Sequence, residues 1–367
     1  MMLPNGWKKV KLEDVALLKA GKFVSAQTIA AKPDSVNIYP CFGGNGVRGF
    51  VPNFSHEGVF PIIGRQGALC GNVNLAQGKF YATEHAVVAS PQNGNDSIWL
   101  YYALFYANLN QYATGQAQPG ISVETINKVP FLLPSIEEQK KIAATLSVWD
   151  SAIEKMEKLI EAKENSYDCF LATSIMSDTY AELGTFLTEV SERNKDEKIQ
   201  QVLSVSNSKG FVLPEEQFDR KVASENLSNY KIVRLGQYAY NPSRINVGSI
   251  ARLNDWKEAV ISPMYTVFEI GDQKQLDSDF LLHWLNSSEA KQRIKNSAQG
   301  SVRETVGFGD LCKIKIPKFD LKKQQKIVSV LNTMNQEILL FKQQLENYKK
   351  QKQGLMQKLL TGQWRVK

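Results

Sequence analysis

The sequence predicts an α+β protein in which a long antiparallel two-helix coiled coil separates two globular domains of mixed α/β structure. Two stretches of about 40 residues carry the apolar seam of a coiled coil, and each follows a segment of short strands and turns. The whole pattern repeats at a spacing of roughly 180 residues, which indicates an internal duplication. The duplication predicts pseudo-two-fold symmetry within one chain, because each half carries the same elements in the same order.

The order of these elements sets the expected domain boundaries. The first domain is expected at residues 1–134, the first long helix at 135–180, the second domain at 181–318 and the second long helix at 319–367. The first long helix delivers the chain to the second domain, so the second helix can pack along the first only by running back. The helix pair is therefore predicted to be antiparallel.

The seams of the two long helices follow alternating steps of three and four residues, broken at Lys163 in the first and at Lys352 in the second. This period is typical of a coiled coil, and neither stretch contains a proline. The predicted seam residues are Ile142, Leu146, Trp149, Ile153, Met156 and Ile160 in the first helix, and Ile327, Leu331, Met334, Ile338, Phe341, Leu345 and Tyr348 in the second.

Many glycines punctuate short apolar runs in the first domain and predict turns between strands. In chain order we expect a strand with a short helix or turn (6–20), two buried strands (59–63 and 86–89), a Tyr-rich helix (98–109) and a strand (129–133). Ser135 and Glu138 then form the Ser-x-x-Glu pattern of a capping box, which predicts where the first long helix begins.

The second domain repeats this order. The expected strands are 202–206, 231–233, 238–240, 265–270 and 314–317, and the expected helices are 280–286 and 289–294. Two phrases make the repeat visible, because residues 300–305 echo residues 120–125 and residues 324–327 echo residues 139–142.

The composition is that of an intracellular globular protein. Its 367 residues are too many for one compact core, and no run of about eighteen apolar residues occurs. The N-terminus lacks the apolar core of a signal peptide, so we expect a cytoplasmic protein with no membrane partner. Cys41, Cys70, Cys169 and Cys312 are scattered, which favours reduced thiols over disulfides or a zinc site.

The net charge of +7 is concentrated near the end of the sequence. Residues 313–367 hold 13 lysines and arginines against 3 acidic residues, so the rest of the chain is slightly acidic. A basic excess predicts an anionic partner, with nucleic acid first among the candidates. The alternative is a solvated outer face on a long helix, which applies most directly to Lys349, Lys350 and Lys352.

The sequence lacks several catalytic signatures. It has no P-loop motif and no His-Glu-x-x-His motif, and its three histidines, His56, His85 and His283, are too far apart to suggest zinc. Residues 241–244 (Asn-Pro-Ser-Arg) depart from the Asn-Pro-Pro-aromatic tetrad of an amino-methyltransferase, and no glycine-rich cofactor turn accompanies them. We therefore expect a protein that is not an enzyme, with no metal or cofactor of its own.

Four polar residues of the first domain are candidates for DNA contact. Arg65 and Gln66 lie between two glycines on a loop that follows a buried strand, and Asn45 and Arg48 occupy a second glycine-rich loop. The glycines would let the backbone approach DNA closely, and arginine and glutamine suit bidentate contacts with guanine and adenine edges. The alternative interpretation is a surface turn with a solvated arginine.

The second domain offers a polar loop in which Tyr240, Ser243, Arg244 and Asn246 are the candidates for DNA contact. A structural Asx-turn is the alternative interpretation of this loop. The weaker candidates are polar or basic loop residues, for which hydrogen bonding within the loop is the alternative: Lys209, Arg252, Gln116, Gln118, Ser301 and Arg303.

The complete layout resembles the specificity (S) subunit of type I restriction-modification enzymes, in which each of two target-recognition domains is followed by a long helix. The resemblance covers essentially the whole chain and rests on the duplication and on phrases typical of that family. These phrases are residues 134–142 (Pro-Ser-Ile-Glu-Glu-Gln-Lys-Lys-Ile), 63–67 (Ile-Gly-Arg-Gln-Gly), 83–86 (Thr-Glu-His-Ala), 240–248 (Tyr-Asn-Pro-Ser-Arg-Ile-Asn-Val-Gly) and 262–265 (Ser-Pro-Met-Tyr). Their order and repetition make the match specific.

The resemblance implies that the chain binds a bipartite, asymmetric DNA site, one domain reading each half. It implies docking of two adenine-N6 methyltransferase subunits, which recruit ATP-driven restriction subunits with translocase and nuclease activity. S-adenosylmethionine, ATP and Mg²⁺ would then belong to those partners and not to this chain. The long helices would act as a ruler between the half-sites and as part of the methyltransferase dock.

Two other functions stay open on the sequence alone. A stand-alone DNA-modifying enzyme, either a methyltransferase or a nuclease, is disfavoured by the missing cofactor and metal motifs. A coiled-coil scaffold without DNA binding is kept open by the slightly acidic remainder of the chain.

Overall fold

The computed structural model describes residues 3–115, 119–207, 209–217, 226–298 and 305–366, with the backbone alone for 216 and 217. The chain divides into two compact units. Unit 1 comprises residues 1–157 and 343–367, and unit 2 comprises residues 158–342. Each long helix therefore contributes residues to both units. The sequence had instead predicted each long helix as a segment separate from the two globular domains.

The elements of unit 1 precede or begin the first long helix. They are β1 (Lys8–Lys11), β2 (Ala16–Ala20), β3 (Tyr39–Gly43), β4 (Gly46–Val51), β5 (His56–Gly64), β6 (Val73–Ala82), β7 (Ala86–Pro91), α1 (Ser97–Tyr106), α2 (Val123–Asn127), β8 (Pro130–Leu133) and the long helix α3 (Ile136–Ser174), which continues into unit 2. A six-stranded sheet has the order β2-β7-β5-β6-β3-β4, in which β3 is parallel to β6 and the other neighbours are antiparallel. β1 and β8 form a separate antiparallel ladder that leads into α3.

The core of unit 1 joins this sheet to α1 and to both long helices. The N-cap Asp96 starts α1, because its carboxylate accepts hydrogen bonds from the first-turn N–H groups. Trp99 and Leu104 on this helix are almost wholly buried. The same apolar cluster contains Ile142 from α3 and Met356 from the second long helix. Burial of this common cluster therefore holds the long helices to the sheet domain.

The elements of unit 2 repeat those of unit 1. They are β9 (Tyr180–Glu182), β10 (Leu187–Val190), β11 (Val202–Ser206), β12 (Gly210–Val212), α4 (Pro214–Gln217), β13 (Lys231–Arg234), β14 (Tyr238–Tyr240), β15 (Ile250–Arg252), β16 (Glu258–Ile261), β17 (Thr266–Ile270), α5 (Ser278–Asn286), α6 (Ser288–Ala298), α7 (Phe308–Lys313), β18 (Lys315–Pro317) and the second long helix, α8 (Leu321–Leu360). Short 3-10 turns occur in both units, at Leu12–Asp14, Ala26–Thr28, Leu109–Tyr112, Leu183–Thr185 and Ile245–Val247.

The sheets of unit 2 follow the plan of unit 1 with one difference. The order β10-β17-β14-β15 matches β2-β7-β5-β6, and the β9–β18 ladder matches β1–β8. The long strands β5 and β6 are each split in unit 2, because β13 pairs with β16 while β14 pairs with β15 and β17. Gly236, with φ of +86°, lies in the break between β13 and β14. The internal duplication predicted from the sequence is confirmed.

The two long helices begin within two residues of their predicted starts but end at Ser174 and Leu360, ahead of the predicted 180 and 367. All the predicted seam residues are buried or half-buried. In unit 1, Asp150 pairs with Lys352 and Glu157 pairs with Lys349 at 2.9 Å. In unit 2, Lys163 pairs with Glu337 at 2.8 Å, and residues 171 and 331 share one apolar cluster. Within each unit, residue numbers on α8 fall as those on α3 rise, so the helices run antiparallel as predicted.

Both lysines that break the seam have an acidic partner on the other long helix. Lys163 Nζ reaches both carboxylate oxygens of Glu337, at 2.8 and 2.9 Å, and Lys352 pairs with Asp150. A polar pair within an apolar seam restricts the register of the two helices, because a shifted register would leave the lysine unpaired. Part of the basic excess near the end of the sequence is therefore satisfied within the protein.

A buried glutamine anchors the start of each long helix to its own domain. Gln139 Oε1 accepts the N–H of Asp96 (2.9 Å), and its Nε2 donates to Asn95 Oδ1 (2.9 Å) and to the carbonyl oxygen of Pro134 (3.1 Å). In unit 2 two of these bonds recur, because Gln324 Oε1 accepts the N–H of Asp277 (2.8 Å) and its Nε2 donates to the carbonyl oxygen of Phe319 (3.0 Å). The third bond of Gln324 goes to a backbone acceptor, the carbonyl oxygen of Gln275 (2.9 Å). These bonds give a physical reason for the repeated glutamine phrase.

The predicted capping box at the start of α3 forms only in part. Ser135 Oγ accepts the N–H of Glu138 at 3.3 Å, as expected. The Glu138 carboxylate, however, accepts a hydrogen bond from Trp7 Nε1 (2.9 Å) and pairs with Arg365. It therefore ties α3 to two distant parts of unit 1.

Candidate nucleic-acid interface

Three loops of unit 1 come together at residues 43–46, 64–67 and 83–85, and we call them the first candidate interface. A side chain on Gly64 would lie 1.7 Å from the carbonyl oxygen of Gly44, so only glycine lets these two loops approach. The backbone of Arg65 is held from both sides, because its N–H donates to the carbonyl oxygen of His85 (3.1 Å) and its own carbonyl oxygen accepts from the N–H of Ile121 (3.0 Å). The loop that carries Arg65 is thus well defined.

The four residues predicted in the first domain, Asn45, Arg48, Arg65 and Gln66, all lie at the first candidate interface or directly beside it. Asn45, Arg48 and Gln66 are exposed, whereas Arg65 is half-buried. A side chain on Gly44 would lie 3.4 Å from the carbonyl oxygen of Gln66, which shows how closely the first two loops approach. The structure therefore brings these four residues together, and their contact with DNA stays a prediction.

Two asparagines near the start of β6 also reach this site, although the sequence analysis did not select them. Asn72 Nδ2 donates to Asn45 Oδ1 at 3.0 Å. Asn74 Oδ1 lies 3.2 Å from the position that a Cβ on Gly46 would take. The two asparagines are two residues apart, and the period of a strand places such residues on one face. That alternation is the signal that could have identified them.

Three buried polar atoms at this site have no hydrogen-bond partner in the described part of the chain: Arg65 Nε, Asn74 Nδ2 and Glu84 Oε2. The other oxygen of Glu84 lies 3.2 Å from His85 Nε2. Buried polar atoms are normally satisfied, so two free donors and one free acceptor at one site favour a polar ligand. Base edges in a DNA groove offer acceptors and donors of this kind.

Cys41 lies near this site but is unsuited to be a nucleophile. Burial raises the pKa of the Cys41 thiol, with the Arg48 charge opposing the shift and the Glu84 charge adding to it. The thiol is therefore protonated at neutral pH, and thiolate is the reactive form.

Residues 206, 207, 209 and 210 of unit 2 and the loop 241–249 form the second candidate interface. Ser249 Oγ donates to the carbonyl oxygen of Val205 at 3.1 Å. A side chain on Gly248 would lie 3.4 Å from the carbonyl oxygen of Asn207. The carbonyl oxygen of Pro242 accepts the N–H of Val306 at 3.0 Å, which matches the bond from Ile121 to Arg65 in unit 1. Equivalent loops are therefore held in the same way in both units.

The second loop forms the Asx-turn that was the alternative to a DNA contact. Asn241 Oδ1 accepts the N–H of Ser243 at 3.0 Å. Ser243 and Arg244 are exposed on this turn, Asn246 is half-buried, and Lys209 is exposed on the neighbouring turn. The two interpretations are compatible, because the turn itself presents Arg244 to solvent.

Two predicted contact residues of unit 2 have structural roles instead. Tyr240 is 0% exposed and packs edge-on against Phe268, with ring centroids 6.1 Å apart, which contradicts a direct DNA contact. Arg252 Nη1 pairs with Asp279 Oδ1 at 2.7 Å, and its Nε donates to Asn254 at 2.8 Å. Its side chain is only 17% exposed, so the prediction of a DNA contact by Arg252 is also contradicted.

The remaining four predicted residues, Gln116, Gln118, Ser301 and Arg303, lie outside the described residues. The described ends of the first of these loops are held together, because Thr114 and Gly120 exchange backbone hydrogen bonds of 2.8 and 2.9 Å. Gly120 also forms a β-bridge with Gln66, so this described residue lies beside the first candidate interface.

Neither a metal site nor a membrane span is found in the described ranges. Within them, no three His, Cys, Asp or Glu side chains are grouped so that they could hold a metal ion. None of the helices there combines the length and the apolar character that crossing a bilayer requires.

Fold and sites together define a duplicated α+β protein with an equivalent pair of polar loop surfaces, one in each unit. The chain belongs to the family of the type I restriction modification DNA specificity domain, which matches residues 4–164 and again residues 219–350. The double match agrees with the duplication seen in the sheets.

Named specificity subunits are similar in sequence. The Escherichia coli type I restriction enzyme EcoprrI specificity subunit is 44% identical over 158 residues, which are 43% of this chain and 39% of that protein. The Methanocaldococcus jannaschii type I restriction enzyme MjaVIII specificity subunit is 23% identical over 302 residues, 74% of this chain and 71% of that protein. The match to the first of these relatives thus spans well under half of its length.

Two solved structures share the fold. The crystal structure of the type I restriction-modification S subunit from M. genitalium matches with a TM-score of 0.65 at 18% identity, over 98% of each chain. A chain from a study of complex assembly and conformational transition in a type I system matches with a TM-score of 0.58 at 15% identity, over 98% of this chain and 99% of that one. These likenesses extend over nearly the whole fold.

Proposed function

We propose that this chain is the non-catalytic DNA-recognition subunit of a type I restriction-modification system and that it binds a bipartite, asymmetric DNA site. Unit 1 reads one half-site and unit 2 reads the other. The observation that carries this proposal is that equivalent loops, held by equivalent hydrogen bonds, present different polar side chains in the two units. A common framework with different side chains suits the recognition of two different half-sites.

The side chains at the two interfaces fit the chemistry of base readout. Arg65 and Gln66 in unit 1 and Arg244 and Asn246 in unit 2 are of the types that bind guanine and adenine edges. Lys209 and Arg48 are exposed cations suited to phosphate. Phosphate contacts of this kind make affinity fall steeply with salt.

The partners follow from the family. Two adenine-N6 methyltransferase subunits dock on the chain, and restriction subunits join through them. S-adenosylmethionine, ATP and Mg²⁺ act in those subunits. Support for this part of the proposal comes from the relatives named as specificity subunits of restriction enzymes.

The helix pair is proposed to set the gap between the half-sites. Deleting residues 154–160 and 343–349 removes one heptad from each long helix and keeps the period of both seams. At ~1.5 Å per residue the deletion shortens each helix by about 10 Å, so the gap should shrink by about three base pairs. Sequencing of methylated bases in cells that express the chain with its methyltransferase measures the half-sites and the gap together.

The control for this deletion is the unaltered chain in the same cells, which should yield one split motif with a fixed gap. An unchanged gap after the deletion would exclude the ruler. Transfer of methyl groups by the purified chain alone would favour an enzyme, and DNA that is neither bound nor methylated in a split motif would favour a scaffold.

A further inference from the structure

Five residues of unit 2 form a continuous chain of hydrogen bonds, which we call the relay. Arg252 on β15 donates from Nη1 to Asp279 Oδ1 on α5 at 2.7 Å. The other oxygen of Asp279 accepts from Asn332 Nδ2 on α8 at 3.1 Å. Asn332 Oδ1 bonds to His283 Nε2 at 2.8 Å, and His283 Nδ1 bonds to the hydroxyl of Tyr167 on α3 at 2.7 Å. The relay thus connects one strand of the sheet to both long helices.

The direction of each bond in the relay is set from Asp279. An ionised carboxylate can only accept, so Arg252 and Asn332 both donate to it. Because the amide nitrogen of Asn332 is used there, its oxygen faces His283, and His283 Nε2 carries the proton. The neutral ring then accepts at Nδ1 from Tyr167. Loss of one bond leaves its neighbour with an unmatched donor or acceptor.

Burial and charge favour this arrangement. His283 is 5% exposed, and burial lowers the pKa of its imidazole, which favours the neutral ring. Burial alone would raise the pKa of Asp279, but the hydrogen bonds from Arg252 and Asn332 outweigh it, and the pKa is lowered. The charged groups that act on His283 are Asp279, Arg252 and Asp277.

Among the residues that the structure describes, unit 1 has no equivalent chain of hydrogen bonds from the long helices to the sheet. Tyr102 holds the position of His283, six residues after its N-cap, and its hydroxyl donates to Asp150 Oδ2 at 2.5 Å. The position of Asp279 is occupied by Ile98, which cannot extend the hydrogen bonds toward the sheet. The relay is therefore a feature of unit 2 and not of the shared plan.

We propose that the relay positions the second candidate interface by tying β15 to the helix pair, with Arg252 as its positioning residue. Loop 241–249 joins β14 to β15, so a displacement of Arg252 moves one end of this loop directly. The inference rests on the proposed function of that loop in reading DNA. It also explains why a basic residue so near the loop is turned inward.

Tyr167→Phe tests the relay from its far end, because it removes one hydroxyl and leaves the surface of loop 241–249 unchanged. In the full chain, amide hydrogen exchange over residues 241–252 is expected to rise roughly 3- to 10-fold, the effect of one net hydrogen bond. The matched control is Tyr102→Phe in unit 1. It should leave exchange over residues 64–67 unchanged, since no chain of hydrogen bonds joins Tyr102 to that loop among the described residues.

A double-mutant cycle separates coupling from mere proximity. Arg252→Met cuts the relay at its near end and should raise exchange in the loop by itself. Adding Tyr167→Phe to that variant should then raise it by less than about 1.5-fold. If the two substitutions raised exchange over the loop by independent amounts that add in full, the relay would be overturned. It would also be overturned if Tyr167→Phe raised exchange only around Tyr167 and His283.

Binding to DNA supplies a readout that a merely structural role would not change. Tyr167→Phe is expected to weaken binding to the second half-site by about 3- to 10-fold and to leave the first half-site unchanged. In the wild type, affinity for the second half-site should stay constant from about pH 8 down to about pH 6.5, the ordinary imidazole pKa, and fall only at lower pH, because burial lowers the pKa of His283 and the protonated ring no longer accepts from Tyr167. His283→Phe should remove this pH dependence.

The two proposals can fail separately. A lower melting temperature without any half-site-selective pH profile would reduce the relay to a stabilising contact of unit 2. If the wild type reads no half-site at all, the proposed function fails, while the exchange cycle still decides whether the relay couples the helices to loop 241–249.

Discussion

Replacing Arg65 by alanine is expected to weaken binding of the full chain to its first half-site by roughly 10- to 100-fold and to leave the second unaffected. Arg65 Nε is buried without a partner in the described ranges, and the backbone of Arg65 is fixed by His85 and Ile121. A good bidentate contact with a base provides about 1–3 kcal/mol of discrimination, which sets the size of the loss. Competition with duplexes scrambled in one half-site measures it.

Arg244→Ala is the matched control, because it should weaken the second half-site and leave the first unchanged. Arg65→Ala should also keep the unfolding free energy within about 0.5 kcal/mol of the wild type, since the described residues give the Arg65 side chain no hydrogen bond or ion pair to lose. A salt titration distinguishes the kinds of contact. Equal loss on all sequences, with a salt slope lower by about 1, would show that Arg65 binds phosphate and does not read a base.

Gln139→Ala and Gln324→Ala are each expected to lower the unfolding free energy of their own unit by about 2–4 kcal/mol. Each substitution removes three hydrogen bonds and leaves the N–H of a helix N-cap, Asp96 or Asp277, without its acceptor. Both glutamines are almost wholly buried, so water cannot readily replace these bonds.

Gln325→Ala is the control for Gln324→Ala, because its side chain is exposed on the next position of the same helix. It should change the unfolding free energy by no more than about 0.5 kcal/mol. Denaturant titration with hydrogen exchange assigned to each unit gives the comparison, since the two units need not unfold together. Similar losses for Gln324 and Gln325 would exclude the anchoring role of the buried glutamines.

Much of the fold could be predicted because its strongest signals are local in the sequence. The seam of the long helices has a period that neighbouring residues define, and residues 139–142 and 324–327 repeat almost letter for letter. The strands flanked by glycine or proline were predicted for the same reason. The loop of Arg65 and Gln66 could be predicted because the glycines on either side of these residues indicate a turn after a strand.

The residues that were misjudged depend on neighbours far away in the chain. Arg252 and Arg244 are both basic residues close to one loop, and nothing local tells them apart. The carboxylate of Asp279, from a distant helix, turns Arg252 inward, whereas Arg244 is exposed. Tyr240 was misjudged similarly, because its burial depends on Phe268 across the sheet. Contacts with residues distant in the sequence decide whether such side chains are buried or exposed.

The unequal charges of the long helices have a consequence for newly made chains. Helix α3 holds eight acidic residues and five lysines, whereas α8 holds eight lysines and two glutamates. If two nascent copies met, like helices would repel each other, while unlike helices attract and are already tethered in one molecule. The charges therefore disfavour pairing between like helices of two copies during synthesis, when unpaired apolar seams are most prone to aggregation.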